Sequence, residues 1–203
     1  MPFDKSFAPT LRFAVMSDIH IDDEDCIEEQ RLAKALADLG ELCSSDVRYG
    51  GLDALVIVGD FASRGTELQM RKVKKLLDGG LPSGARLIMT MGSHEYMSDG
   101  EENALRRFGE IFSLTPDTHE IINGFDFIAV TTTGGCHFDE KKREFAAAEL
   151  EKAAERDGRK PIFFFQHPHI TDTVYGSINW GEDEITDIPV SYTHLRAHET
   201  AAN

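Results

Sequence analysis

The sequence predicts an α/β fold, and three observations predict it. Apolar runs of strand length alternate with amphipathic segments through most of the 203 residues, the pattern of mainly parallel strands covered by helices. An Asn123-Gly124 pair between two strand-like runs adds an antiparallel hairpin. Finally, Asp18, His20, Asp60, His94, Glu95 and His167 each follow an apolar run. Buried strands would carry them to one edge of a sheet, where open α/β folds keep their ligands.

Each element has its own justification. LRFAVMSD reads as a strand entering a loop, and the acidic run Asp22 to Glu29 suits the start of a helix whose Ile27, Leu32, Leu36, Leu39 and Cys43 share a face. ALVIVGD is a second strand and FASRG a turn. Thr66 with Gln69 then offers a capping box to a helix carrying Met70, Val73, Leu76 and Leu77, stopped by Gly79 and Gly80. RLIMTMG is a third strand, SHEYMSDG a loop, and Leu105, Phe108, Ile111 and Phe112 mark an amphipathic helix. HEIINGFDFIAVTTT folds back on itself, EFAAAELEKAAERDG is a helix ending at Gly158, and PIFFFQ is a buried strand with Phe163 to Phe165 in the core.

Composition narrows the function. With 41% hydrophobic and 28% charged residues the chain suits one globular domain. A net charge of −15, from 36 Asp and Glu against 21 Lys and Arg, offers no basic stripe, so nucleic acid is a poor partner. An acidic protein can still act on a small phosphate ester if metal ions reverse the field inside its site. Cys26, Cys43 and Cys136 show no disulfide or zinc spacing. Neither a signal peptide core nor a membrane span is visible, and the expected location is cytoplasmic.

The chemistry lies in the strand-end residues. Asp18 and His20, two apart on an extended segment, share a side and could chelate one ion. Gly59 lets the chain turn sharply at Asp60, whose two carboxylate oxygens could bridge two metals. His94 follows Met91-Gly92-Ser93, with Glu95 beside it, and His167 follows Phe163-Phe164-Phe165-Gln166.

Together SDIH, GDFASRG and GSHE, with QHPH as a looser fourth block, resemble the calcineurin-like metallophosphoesterase family from Leu11 to about Ile170. That family's pattern is Asp-x-His, Gly-Asp, Gly-Asn-His-Glu or Gly-Asn-His-Asp, a lone His, then Gly-His-x-His. The resemblance implies an α/β sandwich of two mixed β-sheets flanked by helices, incomplete at the C-terminus. It implies metal-dependent hydrolysis of a phosphomonoester or phosphodiester by two divalent metal ions, Mn, Fe, Zn or Ni, with a bridging hydroxide as nucleophile. Asp18 and His20 would hold the first metal, Asp60 would bridge, and Ser93 and His167 would face the second. His94 would protonate the leaving oxygen or stabilise phosphoryl charge, with Glu95 orienting its ring. Arg64 would contact a nonbridging phosphate oxygen, or else be a solvated turn arginine.

Two departures stand out. Ser93 replaces the family's amide ligand, so the second site is expected to be looser, and Gly-His-x-His is absent from residues 171 to 203. His167 is preferred to His169 as the ligand. VSYTHLRAHET resembles translated library-adapter sequence, so residues 1–188 are read as a truncated domain and 189–203 as a non-native tail. His194 and His198 are then an accident of that tail. His119 and His137 read as surface or loop residues, and Tyr175 and Trp180 as packing. The partner is a small phosphoester and not a membrane. The alternative is a scaffold, a catalytically impaired member of the same fold that binds proteins.

Overall fold

A computed structural model describes residues 8–45, 50–134, 137–156 and 160–170. Its order is β1 (Phe13–Met16), α1 (Ile27–Ser45), β2 (Ala54–Val58), α2 (Glu67–Gly80), β3 (Arg86–Thr90), a 3-10 turn (His94–Tyr96), α3 (Glu101–Phe112), β4 (Thr118–Ile122), β5 (Phe125–Val130), α4 (Glu140–Arg156) and β6 (Ile162–Gln166). The expected alternation is therefore present. One sheet runs β1-β2-β3 and the other β4-β5-β6.

Strand alternation sorts the apolar residues into layers. Ala54, Val56, Val58 and Ile88 of the first sheet meet Ile122, Phe127 and Ala129 of the second. Phe127 binds this inner layer, edge-on to Phe13 at 5.0 Å and stacked on Phe165 at 5.7 Å. Leu55, Ile57 and Met89 face the other way, toward Leu36, Met70, Leu77 and Phe108 of α1 to α3. Ile128, Val130 and Ile162 likewise pack on Ala146, Leu150 and Ala153 of α4. The result is two sheets face to face, with helices outside both.

Register positions the site. Met16 pairs with Ile57 and Ile57 with Met89, all in parallel, so three strands finish level and release their loops at one edge. Val130 and Gln166 end level in the second sheet.

Several expectations are met locally. Thr66 and Gln69 form a capping box on α2, and the turn at Asn123-Gly124 has positive φ at both residues, 50° and 79°, as a two-residue hairpin of matching twist requires. Others need correction. Only the second sheet is mixed: among the described residues the first is wholly parallel. Ile27 begins α1 but is exposed, leaving Leu32 and Leu36 as the buried residues of that face. The last helix starts at Glu140, before the apolar pattern does, because the Asp139 carboxylate accepts the Lys142 N–H at 2.9 Å and caps the first turn. Phe163 to Phe165 are half-buried, since β6 pairs on one side only among the described residues.

His119 is the larger correction. It is no loop residue: on β4 it lies between Asp126 of β5, 2.7 Å from Nε2, and Glu149 of α4, 2.8 Å from Nδ1. His137 does lie in an exposed loop, bridged to Thr133. Cys136, Gly158 and everything after Ile170, including Tyr175, Trp180, His194, His198, the tail and the missing Gly-His-x-His block, lie outside the described residues. Among the described residues no helix is long and apolar enough to cross a membrane.

Candidate metal centre

The loops after β1 and β2 are laced together before any side chain is considered. His20 N–H donates to the Asp60 carbonyl and Ile21 N–H to the Phe61 carbonyl, each at 3.0 Å, and Ser63 N–H returns to Ile21 at 2.9 Å. This lacing turns the backbone left-handed at Asp18 (φ 54°), His20 (φ 54°) and Asp60 (φ 50°). Non-glycine residues avoid that region, and strain of this kind gathers at functional sites. Glycine is obligatory at two neighbours. A Cβ on Gly59 would sit 2.7 Å from the Gly92 nitrogen and from His167 Nδ1, and one on Gly92 would sit 2.4 Å from Asp60 Oδ1.

That close approach assembles the donors. Asp18, Asp60 and His167 form one group whose ligand atoms lie within 4.8 Å of one another, and His20, Asp60 and His94 form another. Asp60 belongs to both. Its Oδ2 is 3.2 Å from His167 Nε2 and 4.0 Å from His94 Nε2, while Oδ1 accepts the His94 backbone N–H at 2.9 Å. The rings of His20 and His94 meet edge to face at 4.5 Å.

The residues fit a divalent ion on three counts. Carboxylate oxygen with imidazole nitrogen is a donor set that manganese, iron, zinc and nickel accept. The Asp18 carboxylate and the His20 ring carry no side-chain hydrogen bond among the described residues, so their lone pairs are uncommitted. His167 Nδ1–H donates to the Val58 carbonyl at 2.9 Å, which fixes the tautomer that offers Nε2, the usual arrangement behind a metal-bound histidine.

Electrostatics follow from burial and pairing. Burial pulls the His167 imidazole down, but its bond to Asp60 outweighs that and holds its pKa at about 9 in the metal-free chain. Burial pushes Asp60 the other way, yet His167 and the His94 N–H keep its carboxyl below the ordinary value. Glu95, fully buried, is raised by burial to about 7.

Glu95 does not orient the His94 ring as expected. Its carboxylate accepts the backbone N–H of Asp60 at 2.8 Å, of Ala62 at 2.9 Å and of Gly92 at 2.7 Å, so it fastens the β2 loop to the β3 loop. The ring is held instead by the Ser63 carbonyl, which accepts from Nδ1 at 2.7 Å. Sequence reasoning missed Ser63 and Val58 because a backbone carbonyl has no letter of its own. Ser93 lies between Gly92 and His94, half-buried, and its hydroxyl has no partner among the described residues. The Arg64 side chain is exposed and likewise unpaired there. His167, and not His169, joins a donor group.

An α/β sandwich whose strand tips gather carboxylates and imidazoles fits a metal-dependent phosphoesterase. A family model described as calcineurin-like phosphoesterase matches residues 11–199, and the chain belongs to that family. No curated protein matches it.

Proposed function

We propose that the chain hydrolyses small phosphoesters at a dinuclear centre in which Asp60 is the shared ligand. The observation that carries this is the meeting of two donor groups on that one buried carboxylate. The geometry groups Asp18 with His167 and His20 with His94, each around Asp60. Asp18 and His167 would thus serve one ion and His20 the other, a different pairing from the Asp18–His20 and Ser93–His167 division that the family resemblance implies. When bound, such a pair of ions polarises the phosphoryl group and supplies a nucleophile at neutral pH.

The chain's own residues do the rest. His94 keeps its Nδ1 proton on the Ser63 carbonyl, which aims Nε2 toward Asp60 and the reacting group. Protonated there, Nε2 delivers its proton to the leaving oxygen. The guanidinium of Arg64, unpaired among the described residues, is available to two nonbridging oxygens at once. Glu95 acts on none of these atoms directly; it holds Asp60 and Gly92 in place. The charge of −15 favours small substrates over polyanions.

The test is hydrolysis of nitrophenyl phosphate and bis-nitrophenyl phosphate by the full chain with manganese, beside His94→Ala. Expected is turnover that falls at least about a hundredfold in the variant while manganese still binds. Metal binding without turnover on either ester would instead identify a scaffold, and turnover indifferent to His94 would remove the proposed acid.

A further inference from the structure

Gln69 does more than cap a helix. Its capping bond, from Thr66 N–H to Oε1, is 3.3 Å long, whereas the same oxygen accepts the Arg64 N–H at 2.8 Å. The other end of the amide donates from Nε2 to Asp22 Oδ1 at 3.3 Å. Two backbone donors at one end settle which end is oxygen, so the NH2 group faces the carboxylate. The side chain is fully buried, where an unmet amide would be expensive. A capping box needs neither Arg64 nor Asp22.

The residues three before and three after act on the same segment. Thr66 Oγ1 donates to Asp23 Oδ1 at 2.7 Å. Lys72 Nζ donates to the Asp22 carbonyl at 3.1 Å, the Glu24 carbonyl at 2.9 Å and Glu29 Oε1 at 2.6 Å. One side of α2 thus grips residues 22–24, which directly follow His20 and Ile21. Asp22, Asp23 and Glu24 are exposed and have no apolar burial to hold them. Gln69 alone among the three also holds the backbone of the Arg64 turn.

We infer that Gln69 is a positioning residue that couples the metal-binding loop after β1 to the arginine turn after β2, so that metal affinity and substrate affinity are set by one buried amide. The inference deepens, and rests on, the phosphoesterase reading of the site. Gln69 touches neither metal nor substrate; it acts through His20 and Arg64.

The experiment uses the full chain with manganese titration by calorimetry and with KM and kcat on nitrophenyl phosphate. Gln69→Glu keeps the acceptor for Arg64 but sets a carboxylate against Asp22; manganese affinity should fall about tenfold, the range of outer-shell losses, with KM rising. Asp22→Asn, which removes charge and keeps an acceptor, should stay within about twofold. Combining Gln69→Glu with Asp22→Asn restores a donor–acceptor pair with the amide and the carboxylate exchanged between the two positions, and should recover to within about twofold of Asp22→Asn alone. Should Gln69→Glu not fold, Asp22→Ala on the surface carries the test, with affinity about fivefold below Asp22→Asn. Unchanged affinity in folded Gln69→Glu, no rescue in the double variant, or equal affinities in the two Asp22 variants would each overturn the inference alone. Wild-type chain that binds no manganese would overturn the phosphoesterase reading and this inference with it.

Discussion

His119 on β4 and His167 beyond β6 both touch a buried aspartate, yet their surroundings differ in kind. Around His119 every polar atom is met by the protein: both ring nitrogens have carboxylates, Asp126 also takes Arg156, and Glu149 also takes Lys152. The backbone there is ordinary strand and helix. Around His167 the ring and Asp60 are paired, but the converging Asp18 carboxylate and His20 ring carry no side-chain hydrogen bond among the described residues, and three of the contributing residues sit at positive φ. Saturation marks a clip that fastens α4 to the second sheet. Open lone pairs on strained backbone mark a place kept for something else.

The two regions should therefore fail differently. Asp60→Asn, which removes the shared charge, should lower kcat/KM about a thousandfold, or about 4 kcal/mol of barrier, in the manganese assay. If the paired groups matter as drawn, manganese affinity falls with it.

His119→Ala should do the opposite. Leaving Asp126 and Glu149 short of a partner should lower unfolding stability by about 3 kcal/mol in urea, with activity per folded molecule unchanged. The matched experiment at the site is His20→Gly, where glycine accepts a φ of 54° without strain; stability should stay within about 1 kcal/mol while activity is lost. A stable, inactive His119 variant would break the contrast.

Acidity sharpens it further. His167 is raised from 6.5 to about 9, so between those values the folded metal-free chain holds a proton that the unfolded chain has released. The stability this confers is complete below pH 6.5 and is lost as pH climbs through 9. Glu95, raised from 4.5 to about 7, has the same sign across its own interval. Chelated protein should thus melt lower at pH 9 than at pH 6, by on the order of 2 kcal/mol, and manganese should recover most of the difference. The smallest effect is at Ser93: Ser93→Asn, offering an amide oxygen on a longer arm, should tighten manganese binding about threefold by calorimetry.

How much of this was legible in the sequence depended on distance along the chain. Thr66 and Gln69 are three residues apart, and Asn123 and Gly124 are adjacent; each pair acts through its own backbone, and each was readable. That Asp18, His20, Asp60 and His94 come together was readable for a related reason, since the parallel strands β1 to β3 end level and deliver their following residues to one edge. The partners of His119 lie 7 and 30 residues away on other elements, and nothing local announces them. Glu95 was visible as a residue and misread in role, because its partners are amides common to every position. The half-burial of Phe163 to Phe165 depended on which side of β6 is paired.

The sequence by itself determined the alternation of strands and helices, the family blocks and the order in which carboxylates and imidazoles reach the sheet edge. Those are properties of short apolar periods and turn chemistry, which act within a few residues. The tertiary structure alone decided which donors share Asp60, that Ser63 and not Glu95 holds His94, and that Gln69 joins two loops. These arrangements depend on packing distances between segments distant in the chain, where a few tenths of an ångström separate a hydrogen bond from a near miss.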